Sequence, residues 1–114
     1  MLVELDAFSG RPNPRWQLSE SEAAELARLI ADLQPAPGTS SLRPPGLGYR
    51  GFRLQGSSGE TYRVYRAFVQ RQDSVLPDPD RRVEKFLVEH LPPTLNDLRP
   101  WLEAEIAGRP RDSP

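Results

Sequence analysis

The stretch from Tyr49 to Gln70 constrains the fold most, because two strand-like runs flank one short turn sequence. The runs are 49–55 and 61–70, and the residues between them read Gly-Ser-Ser-Gly-Glu. A three-residue loop of 57–59, with Gly59 in a left-handed conformation and a G1 bulge, is a common way to close such a hairpin. It places Gly56 opposite Glu60 and thereby sets the register of the whole hairpin.

This register predicts one apolar and one cationic face. The apolar pairs are Leu54–Tyr62 and Phe52–Val64, and the pairs on the other face are Arg53–Arg63 and Gly51–Tyr65. Because like charges directly opposite destabilise a strand pair, Arg53 and Arg63 indicate an anionic partner for this face. A two-residue loop of Ser57 and Ser58 would shift every pair by one residue and remove the pattern.

The distribution of charge along the sequence also indicates a cationic surface in this region. The net charge of the chain is −1, but six arginines and one glutamate give residues 35–71 a net charge of +5, with −3 on either side. A cationic middle between acidic ends favours a local anion-facing surface over a protein that coats nucleic acid. The sequence contains no cysteine and no apolar run of the roughly 18 residues that a spanning helix needs. We therefore expect a cytoplasmic protein without disulfides.

The remaining elements follow from periodicity and capping. Residues 2–8 alternate in polarity, which predicts a half-buried strand. Ser19 and Glu22 form a capping box that begins a helix, and Pro35 ends it. Asp78 followed by Pro79 predicts the start of a second helix, which runs to residue 91. A third helical stretch covers 94–108 and is interrupted at Pro100.

The predicted fold is α+β, in the order strand, helix, strand, strand, helix, helix. A small three-stranded sheet carries the helices packed on one face, and if the first strand joins the hairpin in parallel, its helical connection is right-handed. Residues 1–107 form a single domain, residues 108–114 a flexible tail, and residues 35–47 a surface loop. The other sheet face and the hairpin edge remain open for a partner.

The connection from Phe8 to Trp16 is a shaped arm, since Pro12 and Pro14 each fix one backbone angle. Less chain entropy is then lost on folding, by roughly 0.4–1 kcal/mol per compatible proline. We expect this arm to hold Arg11 and Asn13 at the rim of the sheet.

A binding surface is therefore predicted on the hairpin and the arm. Arginines interleaved with aromatic residues are typical of surfaces that bind an anionic or aromatic chain. A peptide could add as a strand to the open edge, while the arginines select acidic side chains or a carboxylate. The candidate peptide-binding residues are Arg11, Asn13, Tyr49, Arg50, Arg53, Arg63, Tyr65 and Arg66.

Two other functions stay open at this point. A small enzyme or cyclase would use His90, or the Glu4 and Asp6 carboxylates. A nucleic-acid-binding module would use the arginines, although a pI near 5.8 opposes it. With one histidine, no cysteine and no calcium-loop spacing around Asp73, Asp78 and Asp80, we predict no metal and no cofactor.

The run from Phe8 to Pro14, Phe-Ser-Gly-Arg-Pro-Asn-Pro, is followed by Trp16 and later by Leu-Gly-Tyr-Arg-Gly-Phe at 47–52. These motifs resemble a group of small bacterial proteins that open with the same arm. They are also similar to the peptide-binding accessory proteins of crocagin-type ribosomal peptide biosynthesis. The resemblance implies a non-catalytic protein that binds a precursor peptide and guides tailoring enzymes towards a pyrroloindoline-type natural product. The resemblance assigns no catalytic residue to this sequence.

The leading interpretation is thus a non-catalytic peptide-binding accessory protein. Its partners would be a peptide or protein with acidic or carboxylate groups, with tailoring enzymes as further partners and with no membrane. The open strand edge also leaves room for a homodimer formed by edge pairing.

Overall fold

The fold was obtained as a computed structural model, which describes residues 1–7, 12–35, 49–72 and 74–107. Six strands form a single sheet: β1 (Leu2–Leu5), β2 (Arg15–Gln17), β3 (Phe52–Gln55), β4 (Thr61–Tyr65), β5 (Phe68–Arg71) and β6 (Ser74–Pro77). The helices are α1 (Glu20–Ala31), α2 (Arg82–Glu89), a 3-10 helix (Pro93–Leu98) and α3 (Arg99–Ile106). The architecture is α+β.

All neighbouring strands are antiparallel, in the order β2-β1-β3-β4-β5-β6. The predicted three-stranded sheet is therefore wrong. The first strand pairs with the hairpin in an antiparallel direction, so the parallel arrangement considered for it does not occur. β1 ends at Leu5 and forms a hairpin with β2, a strand inside the predicted arm. With β1 on one side and β5 on the other, the β3–β4 hairpin lies in the middle of the sheet and has no open edge.

The register predicted for the central hairpin is confirmed. Phe52 lies opposite Val64, Arg53 opposite Arg63 and Leu54 opposite Tyr62. Gly59 has a φ of 90° and donates its N–H to the carbonyl of Gly56, as a loop of 57–59 requires. The glycine positions were sufficient to fix this turn because they leave few compatible loop geometries.

The predicted long strand 61–70 is interrupted by a second turn. Arg66 and Ala67 have φ values of 45° and 71°, both left-handed, and separate β4 from β5. Two consecutive left-handed residues are typical of the tight turns that fit the twist of a hairpin, and they usually involve Gly or Asn. Because neither residue type is present here, the sequence does not signal this turn, and the short strand β6 beyond it was missed as well.

The helices match their predicted positions more closely than the strands do. Ser19 and Glu22 form both hydrogen bonds of the capping box at the start of α1. α3 restarts after the 3-10 helix with Pro100 in its first turn, as predicted. The start of α2 was placed three residues too early, since the helix begins at Arg82 and Asp78 lies in the turn before it. Asp78 still accepts the backbone N–H of Val83, at 2.9 Å.

One hydrophobic core joins the helices to the sheet. Buried residues of alternate strand positions, such as Val3, Phe52, Leu54 and Val64, pack with the apolar stripes of the helices. Trp16, 9% exposed, belongs to this core and meets Phe52 edge-to-face. Since side chains alternate along a strand, the intervening residues lie on the opposite side of the sheet, which we call the open face. In the described part of the chain, no helix is long and apolar enough to cross a membrane.

Candidate functional site on the open face

Two rows of polar side chains cross the open face. Residues that pair directly across strands lie on the same face, so the register defines the rows. The arginine row is Arg15, Glu4, Arg53, Arg63 and Gln70, from β2 to β5. The amide row is Gln17, Leu2, Gln55 and Thr61, with Gln72 continuing it just after β5.

Asp6 is the electrostatic centre of the open face. It follows β1 and is only 3% exposed. Its Oδ2 lies 2.8 Å from Arg63 Nη2, 3.4 Å from Arg50 Nη2 and 3.5 Å from Arg53 Nη2. Three guanidinium groups thus share one carboxylate, and these four side chains have a formal charge of +2, to which Glu4 beside them adds one negative charge. Asp6 supplies one anionic partner of the Arg53–Arg63 pair and leaves the surface cationic.

Asn13 connects this group to the next carboxylate. The side-chain Nδ2 of Asn13 donates to Glu4 Oε2 at 3.2 Å and to Asp6 Oδ1 at 3.3 Å, and its side-chain Oδ1 accepts the backbone N–H of Ala7. Glu4 also lies 3.6 Å from Arg15 Nε. Asn13 therefore lies at the rim of the sheet, as expected for the arm, and fixes the two carboxylates in place.

A cavity of about 390 Å³ lies between the two rows. This volume falls within the roughly 300–1,000 Å³ of ligand sites. We call the cavity the trough. Its polar lining comes from both rows and consists of Glu4, Arg53, Gln55, Thr61, Arg63, Gln70 and Gln72, while Leu2, Leu54 and Tyr62 complete it.

The other predicted binding residues lie away from the trough. Arg11 falls outside the described residues. Tyr49 is a core residue, 3% exposed. Tyr65 and Arg66 lie at the β4–β5 turn, where the guanidinium of Arg66 is 5.5 Å from the centre of the Tyr65 ring. Of the predicted binding residues, the structure brings Asn13, Arg50, Arg53 and Arg63 together around the carboxylate of Asp6.

A second polar cluster surrounds Glu84, which is 1% exposed on α2. It accepts the Tyr49 hydroxyl, the Nε and Nη2 of Arg81 at 2.7 and 2.9 Å, and the backbone N–H groups of Arg66 and Ala67 at 3.2 and 2.9 Å. Three residues with positive φ, at 66, 67 and 81, are thereby held by one carboxylate. This cluster ties the β4–β5 turn to α2.

Opposing effects act on the pKa values in this cluster. Burial alone would raise the pKa of Glu84, but hydrogen bonds from Arg81, Tyr49 and Ala67 outweigh it and lower that pKa from its ordinary value of 4.5. Burial and the adjacent negative charge of Glu84 raise the pKa of Tyr49 well above 10.0. Glu84 is therefore ionised and Tyr49 neutral near pH 7.

Both groups proposed for catalysis are held by neighbouring residues. Asp6 and Glu4 are held by Asn13 and by arginines. His90 stacks on the ring of Phe86, with centroids 4.1 Å apart, and its Nδ1 lies 2.8 Å from the Phe86 carbonyl oxygen. This arrangement is typical of a histidine that closes a helix end. Among the described residues, no group of three or more His, Asp or Glu is placed to hold a metal ion.

Sequence reasoning missed four residues of these sites. Gln55, Thr61 and Gln70 were not candidates, because amide and hydroxyl side chains on a strand carry no signal by themselves. Glu84 was missed too, although it lies next to Val83 and one turn before Leu87 on the apolar side of α2. A charged residue in such a position is a signal for a buried, paired group.

No protein family, curated protein or solved structure matches this chain. The resemblance of the arm to accessory proteins of ribosomal peptide pathways therefore stays a prediction. The fold and the site define only the class of protein: an α+β protein with a six-stranded antiparallel sheet and a cationic open face.

Proposed function

We propose that this protein is a non-catalytic accessory protein that binds an acidic peptide on the open face of its sheet. The observation that carries the proposal is the convergence of Arg50, Arg53 and Arg63 on the single carboxylate of Asp6, beside the trough. Guanidinium groups bind carboxylates with paired, charge-assisted hydrogen bonds, and a cationic surface attracts such groups from solution.

The mode of binding differs from strand addition at the hairpin edge, because β1 and β5 already occupy both edges of that hairpin. A peptide on the open face relies on side-chain contacts instead. On the resemblance of the arm, the proposed peptide is a ribosomal precursor, and the protein presents it to tailoring enzymes. Homodimerisation by strand-edge pairing and a cytoplasmic location remain predictions.

The arginine contact is tested by replacing Arg53 with Ala. The side chain of Arg53 is 52% exposed, so the substitution removes a charge from the surface with little effect on folding. We expect affinity for peptides of graded glutamate content, measured by fluorescence polarisation, to fall about tenfold for the acidic members, since a hydrogen bond to a charged group contributes about 1.5–3 kcal/mol. Neutral members should show no change.

The matched control is Arg28→Ala, which removes the same charge from the exposed surface of α1. It should leave peptide affinity unchanged. Equal losses in the two variants would show that only overall charge matters, and an array on which no peptide binds would contradict the proposal. Tighter, steeply salt-dependent binding of an oligonucleotide would favour a nucleic-acid-binding module instead.

A further inference from the structure

The trough is longer across the strands than along them. Its lining residues come from β1, β3 and β4 and from β5 with the residue that follows it, so it crosses four strand positions. With strands about 4.8 Å apart, three spacings give about 14 Å across the strands. Along the strands, the two rows are two residues apart, or about 7 Å. The long axis of the trough is thus perpendicular to the strands.

One wall of the trough carries two arginines, Arg53 and Arg63, beside Glu4. Arg53 and Arg63 lie directly opposite each other, and both contact Asp6 Oδ2. Directly opposite residues have Cβ atoms about 4.5–5.5 Å apart, close enough for two guanidinium groups to share a single carboxylate. Asp6 holds both side chains in position, and because each guanidinium has five N–H donors, the pair can also bind a carboxylate from a ligand.

The other wall offers neutral hydrogen-bonding groups. Gln55, Thr61 and Gln72 are exposed there, and each can donate and accept. Gln70 lies opposite Arg63, and its amide nitrogen donates to the carbonyl oxygen of Gln72 at 3.2 Å. Amide and hydroxyl groups spaced along a trough match a peptide backbone, which presents one N–H and one C=O at nearly every residue.

We propose that the trough binds an extended peptide that crosses the strands, with one aspartate or glutamate carboxylate held between Arg53 and Arg63. This inference rests on the proposed function and specifies its ligand. At about 3.3–3.6 Å per residue, roughly four residues fill the 14 Å length. The carboxylate supplies specificity, and the amide row binds the backbone whatever the flanking sequence.

A single-stranded nucleic acid fits these walls less well. Such ligands depend on aromatic rings on which bases stack. In the parts of the chain that the structure describes, neither row contains an aromatic residue, and Tyr62 is the one aromatic residue that lines the trough. It is partly buried and packs against the hydrophobic core. The observations therefore favour a peptide.

The test fills the trough without changing its charge. Thr61→Tyr places a larger side chain at an exposed strand position that tolerates aromatic residues. The probes are acetylated, amidated peptides of about two to eight residues with one central glutamate, each with a glutamine counterpart. We expect affinity by calorimetry to rise up to about four residues and then level off, to fall about tenfold with glutamine, and to fall about tenfold in Thr61→Tyr.

The control is Thr94→Tyr, which makes the same exchange at an exposed position of the 3-10 helix and should leave affinity unchanged. If acidic peptides bind but Thr61→Tyr has no effect, the trough proposal is wrong while the proposed function stands. Free glutamate binding as tightly as the longest peptide would also overturn it. If none of the peptides binds, both proposals fail.

Discussion

At the scale of single residues, two buried carboxylates organise the polar structure of this protein in different ways. Asp6 gathers three arginines at the open face, where its partners remain partly exposed to solvent. Glu84 lies in the interior and accepts hydrogen bonds from Arg81, Tyr49 and two backbone N–H groups. Asp6 therefore shapes a surface, whereas Glu84 stabilises the fold.

The role of Glu84 predicts a pH dependence of stability. Because its pKa is lowered in the folded state, its ionisation stabilises the protein above the ordinary glutamate pKa of 4.5, and this contribution is lost as pH falls through the lower, folded value. We expect Glu84→Gln to lower the free energy of unfolding by about 3–5 kcal/mol at pH 7, since it leaves Arg81 without its carboxylate. The measurement is urea unfolding at a series of pH values.

The difference between wild type and Glu84→Gln should shrink steadily once pH falls below 4.5. Glu103→Gln, on the outer side of α3 and exposed, provides a control that should change stability little at any pH. A pH-independent difference for Glu84→Gln would show that the side chain acts through packing and not through its charge.

At the scale of secondary-structure elements, the sequence predicted what local chemistry determines. The capping box at Ser19, the Gly59 turn and the restart of α3 at Pro100 each depend on a few neighbouring residues. The strands β2, β5 and β6 have only three or four residues, and each pairs with the strand that precedes it in the sequence. β2 and β6 are too short to show a period and were missed, whereas β5 was predicted as the end of the long strand 61–70. The trough could not be predicted, because its rows depend on the pairing of β1 with the distant strand β3.

Two glycines of the central hairpin allow a test of its backbone conformation and of the close approach of its two strands. Gly51 and Gly59 have φ values of 91° and 90°, so alanine is strained at both, by about 1–2 kcal/mol. At Gly51, a Cβ would also lie 1.9 Å from the carbonyl oxygen of Val64, whereas nothing lies within 4 Å at Gly59. Gly51→Ala should therefore destabilise the protein clearly more than Gly59→Ala in urea unfolding. Equal effects would refute the close approach of β3 and β4 at Gly51.

At the scale of the whole molecule, the division of the sheet into two faces explains where a partner can bind. The helices and the apolar strand residues share one core on one face. The open face carries both rows, the trough and the excess positive charge. Although the sequence predicted this division from the hairpin register alone, it did not predict β2, β5 and β6 as separate strands that extend the face, because each has only three or four residues.

The most direct test of the account is a nuclear magnetic resonance titration of the isotope-labelled protein with a short peptide that carries one central glutamate. We expect the largest shifts in the Nε–Hε signals of Arg53 and Arg63 and in the backbone amides of β3 and β4, with the glutamine counterpart giving much smaller ones. Shifts confined to the helices or to the outer strands β2 and β6, or equal shifts for both peptides, would contradict binding at the open face.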